Sequence, residues 1–177
     1  MWYDGGIYAL VMRLDEGADI QVGALGRFLF HPGCYVYVGS AINGVSARVR
    51  RHLRTGKKLR WHIDYLLEYA RMVEVWYSLG VERSECFWAR VAGGMPGVGA
   101  PVTGFGSSDC SCPSHLFHLP GLPSLELFQA GVGGPGSLLE RVLPQDWGAI
   151  SAPWQKNRPP SAPSGPHIPP KSGRGRL

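Results

Sequence analysis

Residues 6–13 read GIYALVMR, an apolar run that begins at a glycine and ends at its only charged residue. A short apolar run rich in strand-forming side chains predicts a core strand. Further along the chain, residues 20–30 place two short apolar segments around Gly23 and Gly26, which predicts a hairpin. Residues 34–38, CYVYV, are aromatic and β-branched and predict a further core strand. Several strands therefore precede any helix.

After these strands the period of the apolar residues changes. Val45, Val49 and Leu53 recur every four residues, which predicts an amphipathic helix that ends near Gly56. The later predicted elements are a helix over 61–69, a strand over 73–77, a helix over 82–91 and an edge strand over 114–119. This order is typical of an α+β fold, here a small mixed or antiparallel β-sheet flanked by three helices.

The composition changes after residue 119. Of the 15 prolines in the 177-residue chain, 11 lie beyond Leu119, together with a glycine- and serine-rich end. Apolar residues are scattered in this stretch, and scattered apolar residues do not offset the entropy of ordering the backbone. We therefore predict a folded domain over 1–119 and a low-complexity, disordered tail over 120–177.

Positive charge is concentrated in one segment. The net charge is +5, and residues 48–60 contain seven cations and no acidic residue. Such a field suits a polyanion such as nucleic acid, although a solvated helix face is the alternative. The cations are Arg48, Arg50, Arg51, Arg54, Lys57, Lys58 and Arg60.

Neither a membrane span nor a secretory signal is predicted. No apolar run approaches the roughly 20 residues that a span needs, and no basic segment followed by an apolar stretch begins the chain. A reducing, cytoplasmic location follows as the expectation. The four cysteines are accordingly expected to be thiols.

Four features of the sequence occur in an order that is known from one group of proteins. Gly6-Ile7-Tyr8 opens one predicted strand, Tyr37-Val38-Gly39 closes another, and Arg48 and Glu85 lie on predicted helices. This pattern resembles the GIY-YIG nuclease superfamily. Residues 36–41, 48–53, 61–66, 85–86 and 104–117 are similar to its branch called domain of unknown function 123. The resemblance covers about residues 5–119.

The resemblance implies a metal-dependent phosphodiesterase. In it, Glu85 would hold Mg²⁺ or Mn²⁺, a hard cation that prefers carboxylate oxygen. Tyr8 would be the general base or would position the attacking water, and Tyr37 would orient the water or the phosphate. Base chemistry by a tyrosine requires a lowered pKa, which a nearby metal-bound water and cations would supply.

The resemblance also assigns roles on the first helix. Arg48 would bind the scissile phosphate through its planar fork. His52, four residues later on the same helical face, would assist proton transfer or hold the water. The remaining cations would follow the nucleic-acid backbone: Arg50, Arg51, Arg54, Lys57, Lys58 and Arg60.

Several of these residues have simpler readings. Tyr8 and Tyr37 could be core aromatics of the sheet, and Glu85 a solvated helix residue. His62 and Asp64 could face a substrate, or cap and bridge helices. Asp109 or Ser108 could replace an asparagine that many superfamily members place after the glutamate. The stretch between Tyr8 and Tyr37 is long enough for an inserted pair of strands, namely the predicted hairpin.

The cysteine-rich segment 109–115 also has two readings. Cys110, Cys112 and His115 could supply three zinc ligands, with no fourth ligand identified. The alternative is a tight turn built on Gly104 and Gly106.

Three functions are therefore considered. The first is an endonuclease acting on branched, flapped or damaged DNA, with a role in DNA repair because some relatives are joined to a base-excision glycosylase. The second is a nucleic-acid-binding module on the same fold without cleavage. The third is an unrelated zinc-stabilised interaction domain.

Overall fold

The strand predicted at residues 6–13 lies at the centre of the molecule. The computed structural model describes residues 5–80, 85–99, 102–133 and 139–147. Its elements in chain order are β1 (Gly6–Leu14), β2 (Ala18–Val22), β3 (Gly26–Phe30), β4 (Gly33–Ala41), α1 (Val45–Leu53), α2 (His62–Leu66), β5 (Arg71–Leu79), α3 (Glu85–Gly93), β6 (Leu116–Leu119), α4 (Leu125–Gly133), β7 (Glu140–Val142) and a 3₁₀ turn (Pro144–Asp146).

Five strands form one sheet in the order β6-β4-β1-β5-β7, and every neighbouring pair is antiparallel. β2 and β3 form a separate hairpin, as predicted for the insertion between the two tyrosines. The segment predicted as an edge strand is β6, at one end of the sheet. The α+β class is confirmed.

Both faces of the sheet are covered. Tyr8, Leu10 and Met12 of β1 point to the face that packs against α1, α2 and the hairpin. The alternate residues of β1 point to the opposite face, which packs against α3 and α4. A strand that is buried on both faces reads as a continuous apolar run, which is why the sequence signal at β1 is so strong.

Some element boundaries differ from the predictions. α2 ends at Leu66 rather than near residue 69, because the chain turns there to enter β5. The third predicted helix is α3, which ends two residues later than predicted, and residues 82–84 of that prediction lie outside the described residues. None of the helices in the described ranges has the length and apolar character that a membrane span requires.

The predicted tail over 120–177 requires correction in its first half. α4 buries Phe128 and Val132 against the sheet, with the Phe128 ring centroid 5.1 Å from that of Trp76. β7 pairs with β5, and Trp147 is buried against Tyr77. The average composition of the stretch concealed a helical spacing of apolar residues. Residues 148–177 of the predicted tail lie outside the described residues.

Candidate functional site

A cleft of about 300 Å³ opens on the face of the sheet that carries α1. Four elements that are distant in sequence each contribute one predicted site residue to its lining. These residues are Tyr8 of β1, Tyr37 of β4, Arg48 of α1 and Glu85 of α3. The fold thus brings together four of the five predicted catalytic side chains.

Gly39 and Gly6 lie where the fold leaves no room for a side chain. Gly39 is opposite Tyr8 in the antiparallel register, and a Cβ at residue 39 would lie 2.6 Å from the Tyr8 hydroxyl oxygen. At Gly6, a Cβ would overlap the main-chain carbonyl oxygen of Ser78 on β5. Glycine is therefore required at residue 39 to leave room for the Tyr8 side chain, and at residue 6 to leave room for β5.

His52, the fifth predicted catalytic residue, lies behind Tyr8 rather than in the lining of the cleft. Its Nε2 is 2.9 Å from the Tyr8 hydroxyl, and its Nδ1 is 3.9 Å from Oδ1 of Asp64. Burial lowers the pKa of His52 to about 3, so the ring is neutral at pH 7. Nδ1 has no hydrogen-bond partner among the described residues, but the nearby Asp64 carboxylate favours the tautomer that carries its proton there, so we assign the Tyr8 hydroxyl as the donor to Nε2.

The tyrosines differ from the expectation of a lowered pKa. Burial raises the pKa of Tyr8 well above its ordinary value and raises the pKa of Tyr37 to about 12. Arg48 acts in the opposite direction but does not outweigh burial. Both hydroxyls are therefore neutral in this structure, and a Tyr8 phenolate is not the resting state.

Asp64 organises the base of the cleft. Its fully buried carboxylate accepts two hydrogen bonds of 2.9 Å from the Arg51 guanidinium, and others from the main-chain N–H groups of Arg60 and Trp61. Burial alone would raise the pKa of Asp64, but these four donors hold that pKa below its ordinary value. The sequence left two roles open for Asp64, which could face a substrate or could cap and bridge helices. In the structure its carboxylate caps the start of α2 and bridges it to Arg51 of α1.

Trp61 orders the arginine that enters the cleft. The guanidinium carbon of Arg48 lies 4.3 Å from the centroid of the Trp61 ring system, and that of Arg51 lies 3.9 Å away. Planar guanidinium groups stack favourably on an indole. Arg48 is thus held in place while its hydrogen-bond donors bind no carboxylate among the residues that the structure describes.

The predicted nucleic-acid-binding cations divide into two groups. Arg51 is committed to Asp64, and the Lys57 ammonium donates to the main-chain carbonyls of His52 and Arg54, so neither is free to track phosphates as expected. The physical reason is that Arg51 bridges α1 to α2, while Lys57 binds the main-chain carbonyls at the end of α1. The other four are exposed, and Arg60 lines the cleft: Arg50, Arg54, Lys58 and Arg60.

Besides Ser40, four further polar residues line the cleft, and sequence reasoning left their roles open. His62 Nδ1 accepts the main-chain N–H of Gly106 at 3.0 Å, so its Nε2 carries the ring proton. Ser108, Asp109 and His115 come from the loop before β6. Their position in the lining supports the suggestion from the sequence that Asp109 or Ser108 belongs to the site. The sequence could not predict that His62 lies beside them, because that depends on the path of the folded loop.

Glu85 is the residue suited to a hard cation. One of its carboxylate oxygens, Oε2, is buried and has no hydrogen-bond partner in the part of the chain that the structure describes. A buried carboxylate oxygen without a partner is costly unless a ligand satisfies it. The donor type therefore fits Mg²⁺ or Mn²⁺, which bind carboxylate oxygen and complete their shells with water and phosphate.

Replacing Asp64 with Ala should lower the free energy of unfolding by about 3 kcal/mol, because it leaves the Arg51 guanidinium without its buried partner. Asp15 is the matched control, since its ion pairs with Arg13 and Arg71 are exposed. Asp15→Ala should cost about 0.5 kcal/mol. Urea denaturation measures both, and equal losses would contradict the role assigned to Asp64.

Stability should fall as the pH is lowered from 7 to 5. The folded-state pKa of His52 is lower than its unfolded value, so between the two pKa values the unfolded chain binds the extra proton. That contribution is therefore complete above about pH 6.5 and is lost by about 2 kcal/mol at pH 5. His52→Gln should flatten the denaturation profile over this range, whereas His31→Gln, at an exposed position, should leave it unchanged.

Comparison with known proteins gives one match. The family model described as "Domain of unknown function DUF123" matches residues 7–130, which include every cleft residue named above and the first part of α4. No curated protein and no solved structure matches the chain. The matched region extends past residue 119, in agreement with the folded α4. The chain belongs to the DUF123 family.

Proposed function

We propose that this protein is an endonuclease of the GIY-YIG type that hydrolyses phosphodiester bonds in DNA, with Mg²⁺ or Mn²⁺ as its cofactor. The observation that carries the proposal is the convergence of Tyr8, Tyr37, Arg48 and Glu85 in one cleft from four separate elements. Phosphodiester hydrolysis needs an activated water and positive charge on the phosphate. This cleft offers a candidate group for each need.

Arg48 is the candidate for the scissile phosphate. Its guanidinium stacks on Trp61 at the cleft and makes no ion pair with the described acidic residues. A planar fork with free donors holds two phosphate oxygens at once. The stacking means that little side-chain entropy remains to be lost when the phosphate binds.

Glu85 is the candidate for the metal, because of its buried and unpartnered Oε2. A bound Mg²⁺ would stabilise the negative charge that develops on the phosphate and lower the pKa of a coordinated water. The neighbouring tyrosines then act as neutral groups, as their raised pKa values require.

Tyr8 and His52 form a hydrogen-bonded pair that would orient the attacking water. Because the Tyr8 hydroxyl donates to His52 Nε2, its oxygen is available to accept a hydrogen bond from a water in the cleft. The pKa of about 3 makes His52 too weak a base to keep the water's proton. As the water attacks phosphorus, its proton therefore passes to solvent, and the leaving oxygen is protonated from solvent. No free phenolate is needed.

The exposed cations extend the positive surface from the cleft. Arg60 lines the cleft, and Arg50, Arg54 and Lys58 are exposed on and after α1. Contacts to the phosphate backbone release counterions, so binding that weakens with salt is expected. Branched, flapped or damaged DNA is the proposed substrate class and DNA repair the proposed process. The four free thiols fit a reducing cytoplasm.

The second candidate is a DNA-binding module that does not cleave. The raised pKa values of Tyr8 and Tyr37 favour it, because neither side chain is poised as a free base. Binding alone would use Arg48 and the exposed cations, and it would not need Glu85 or Tyr8.

The test is cleavage of labelled single-stranded, duplex, flapped and branched DNA in Mg²⁺ or Mn²⁺ by wild type and by Arg48→Ala. Loss of the phosphate contact should slow cleavage by about a hundredfold. Arg71→Ala is the matched control, because this exposed arginine pairs with Asp15, the residue that follows β1, and lies outside the cleft. Salt-sensitive binding without cleavage on all substrates would favour the binding module.

A further inference from the structure

Three cysteines and one histidine meet beside the cleft. Cys86 is the second residue of α3, while Cys110, Cys112 and His115 come from the loop that precedes β6. Their Sγ atoms and an imidazole nitrogen all lie within 4.8 Å of one another. All three cysteines are free thiols. The loop's own sequence supplies only three of these groups, and the fold supplies the fourth from a helix.

The distances are close to those of a tetrahedral shell. Zinc bonds of about 2.3 Å to sulfur and about 2.05 Å to nitrogen place neighbouring ligand atoms about 3.6 to 3.8 Å apart. Cys110 Sγ lies 3.4 Å from His115 Nε2. The Sγ atoms of Cys86 and Cys112 also lie within the 4.8 Å that bounds the cluster. A contraction of no more than about 1 Å would bring all four groups onto one ion.

We propose a structural Zn²⁺ site whose four ligands are Cys86, Cys110, Cys112 and His115. Four protein ligands fill the tetrahedral shell and leave no open position for a water or a substrate, as in structural rather than catalytic zinc sites. Thiolate ligands select zinc over Mg²⁺. The site is therefore separate in chemistry from the carboxylate of Glu85, and it stands whether or not the protein cleaves DNA.

The loop that carries Cys110, Cys112 and His115 is held in its shape before any metal binds. Its ends are joined by main-chain hydrogen bonds from Gly104 to Pro113 and from His115 to Phe105, both of 2.8 Å. Gly104 and Gly106 adopt positive φ angles that the turn requires. The main-chain N–H of Val38 donates to the main-chain carbonyl of His115 at 2.9 Å, which anchors the end of the loop beside β4. The turn predicted from the sequence and the metal site are thus compatible.

The surroundings also balance the charge. Three thiolates and Zn²⁺ carry a net charge of −1, and the Arg90 guanidinium on α3 acts electrostatically on Cys112. A cation near a thiolate-rich site offsets its negative charge.

Zinc at this position would connect the two parts of the cleft wall. Glu85 directly precedes Cys86 at the start of α3, and Ser108 and Asp109 directly precede Cys110 in the loop. The ion would therefore fix the helix that carries Glu85 against the loop that lines the cleft. Loss of zinc is expected to loosen the cleft and to lower the melting temperature.

The first measurement is the metal content of the full chain, purified under reducing conditions without chelator from zinc-supplemented medium. We expect about one zinc per chain. Exchange with Co²⁺ should give the ligand-field absorption of tetrahedral cobalt together with a thiolate-to-cobalt charge-transfer band. Removal of zinc by a strong chelator should lower the melting temperature by roughly 10 °C.

The second measurement compares variants. Cys86→Ser should reduce the zinc content at least tenfold, in accord with the large effects of altering metal ligands. Cys112→His, which keeps a zinc ligand, should retain most of it. Cys34→Ala is the control, because that buried cysteine in β4 lies outside the cluster. Absence of zinc from the wild type, iron in its place, or unchanged zinc in Cys86→Ser would overturn the proposal.

Discussion

Glu85→Gln should slow metal-dependent DNA cleavage by about a thousandfold or more and leave DNA binding intact. The substitution keeps the shape of the side chain and removes the charge that would hold the cation. A metal Lewis acid contributes several kcal/mol to transition-state stabilisation, which corresponds to a loss of this size. Single-turnover cleavage and equilibrium binding, measured on the same flapped substrate, separate the two effects.

The free energy of unfolding distinguishes a metal-binding role of Glu85 from a structural one. Because Glu85 Oε2 has no partner among the residues described, the free energy of unfolding should not fall in Glu85→Gln. Glu68→Gln is the control, since Glu68 is exposed after α2 and outside the cleft. Zinc content should be unchanged in both variants, so a failure of the proposed zinc site is not confused with a failure of the nuclease site. Equal cleavage by wild type and Glu85→Gln would refute the metal role.

Tyr8→Phe is expected to slow cleavage by roughly a hundredfold or more, the usual cost of losing the alignment of a reacting group. The Tyr8 hydroxyl would accept a hydrogen bond from the attacking water, and without it the water is no longer held in line with phosphorus. Burial of the unpartnered Nε2 should cost about 1 to 2 kcal/mol of stability. Cleavage should therefore be measured well below the melting temperature of the variant.

Tyr35→Phe is the matched control for Tyr8→Phe. Tyr35 is also a buried tyrosine of the sheet, and burial raises its pKa to about 12, but its hydroxyl donates to the His31 carbonyl away from the cleft. Its loss should leave the rate of cleavage unchanged. If both variants cleave at the wild-type rate while Glu85→Gln does not, the role of Tyr8 in orienting the water is wrong and the metal role stands.

The central sheet could be predicted from sequence because its strands are buried on both faces. β1 and β4 read as unbroken apolar runs, and α1 shows its apolar spacing directly. The helix α4 could not be found in the same way, because prolines and glycines around it dominate the composition of that stretch. Its packing against Trp76 and Trp88 is a tertiary effect.

The candidate site was predicted in part. The resemblance to GIY-YIG nucleases named Tyr8, Tyr37, Arg48 and Glu85, and the fold places them in one cleft. The raised pKa values of the tyrosines could not be predicted, because they depend on burial that only the packed structure shows.

Contacts between residues of different secondary-structure elements could not be predicted from the sequence either. Asp64 of α2 forms an ion pair with Arg51 of α1. Nothing in the sequence spacing of the cations distinguishes Arg51 from Arg50. In the same way, the sequence does not show which distant cysteine joins Cys110 and Cys112. The fold selects Cys86 rather than Cys34.

The most direct test of the nuclease proposal is a time course of wild-type protein on end-labelled flapped and branched DNA, with Mn²⁺ or Mg²⁺ and with EDTA. The proposal predicts discrete cleavage products that appear only with the divalent cation and that are absent with Glu85→Gln. Intact DNA in every metal, from protein that binds the same substrates and contains its zinc, would contradict it.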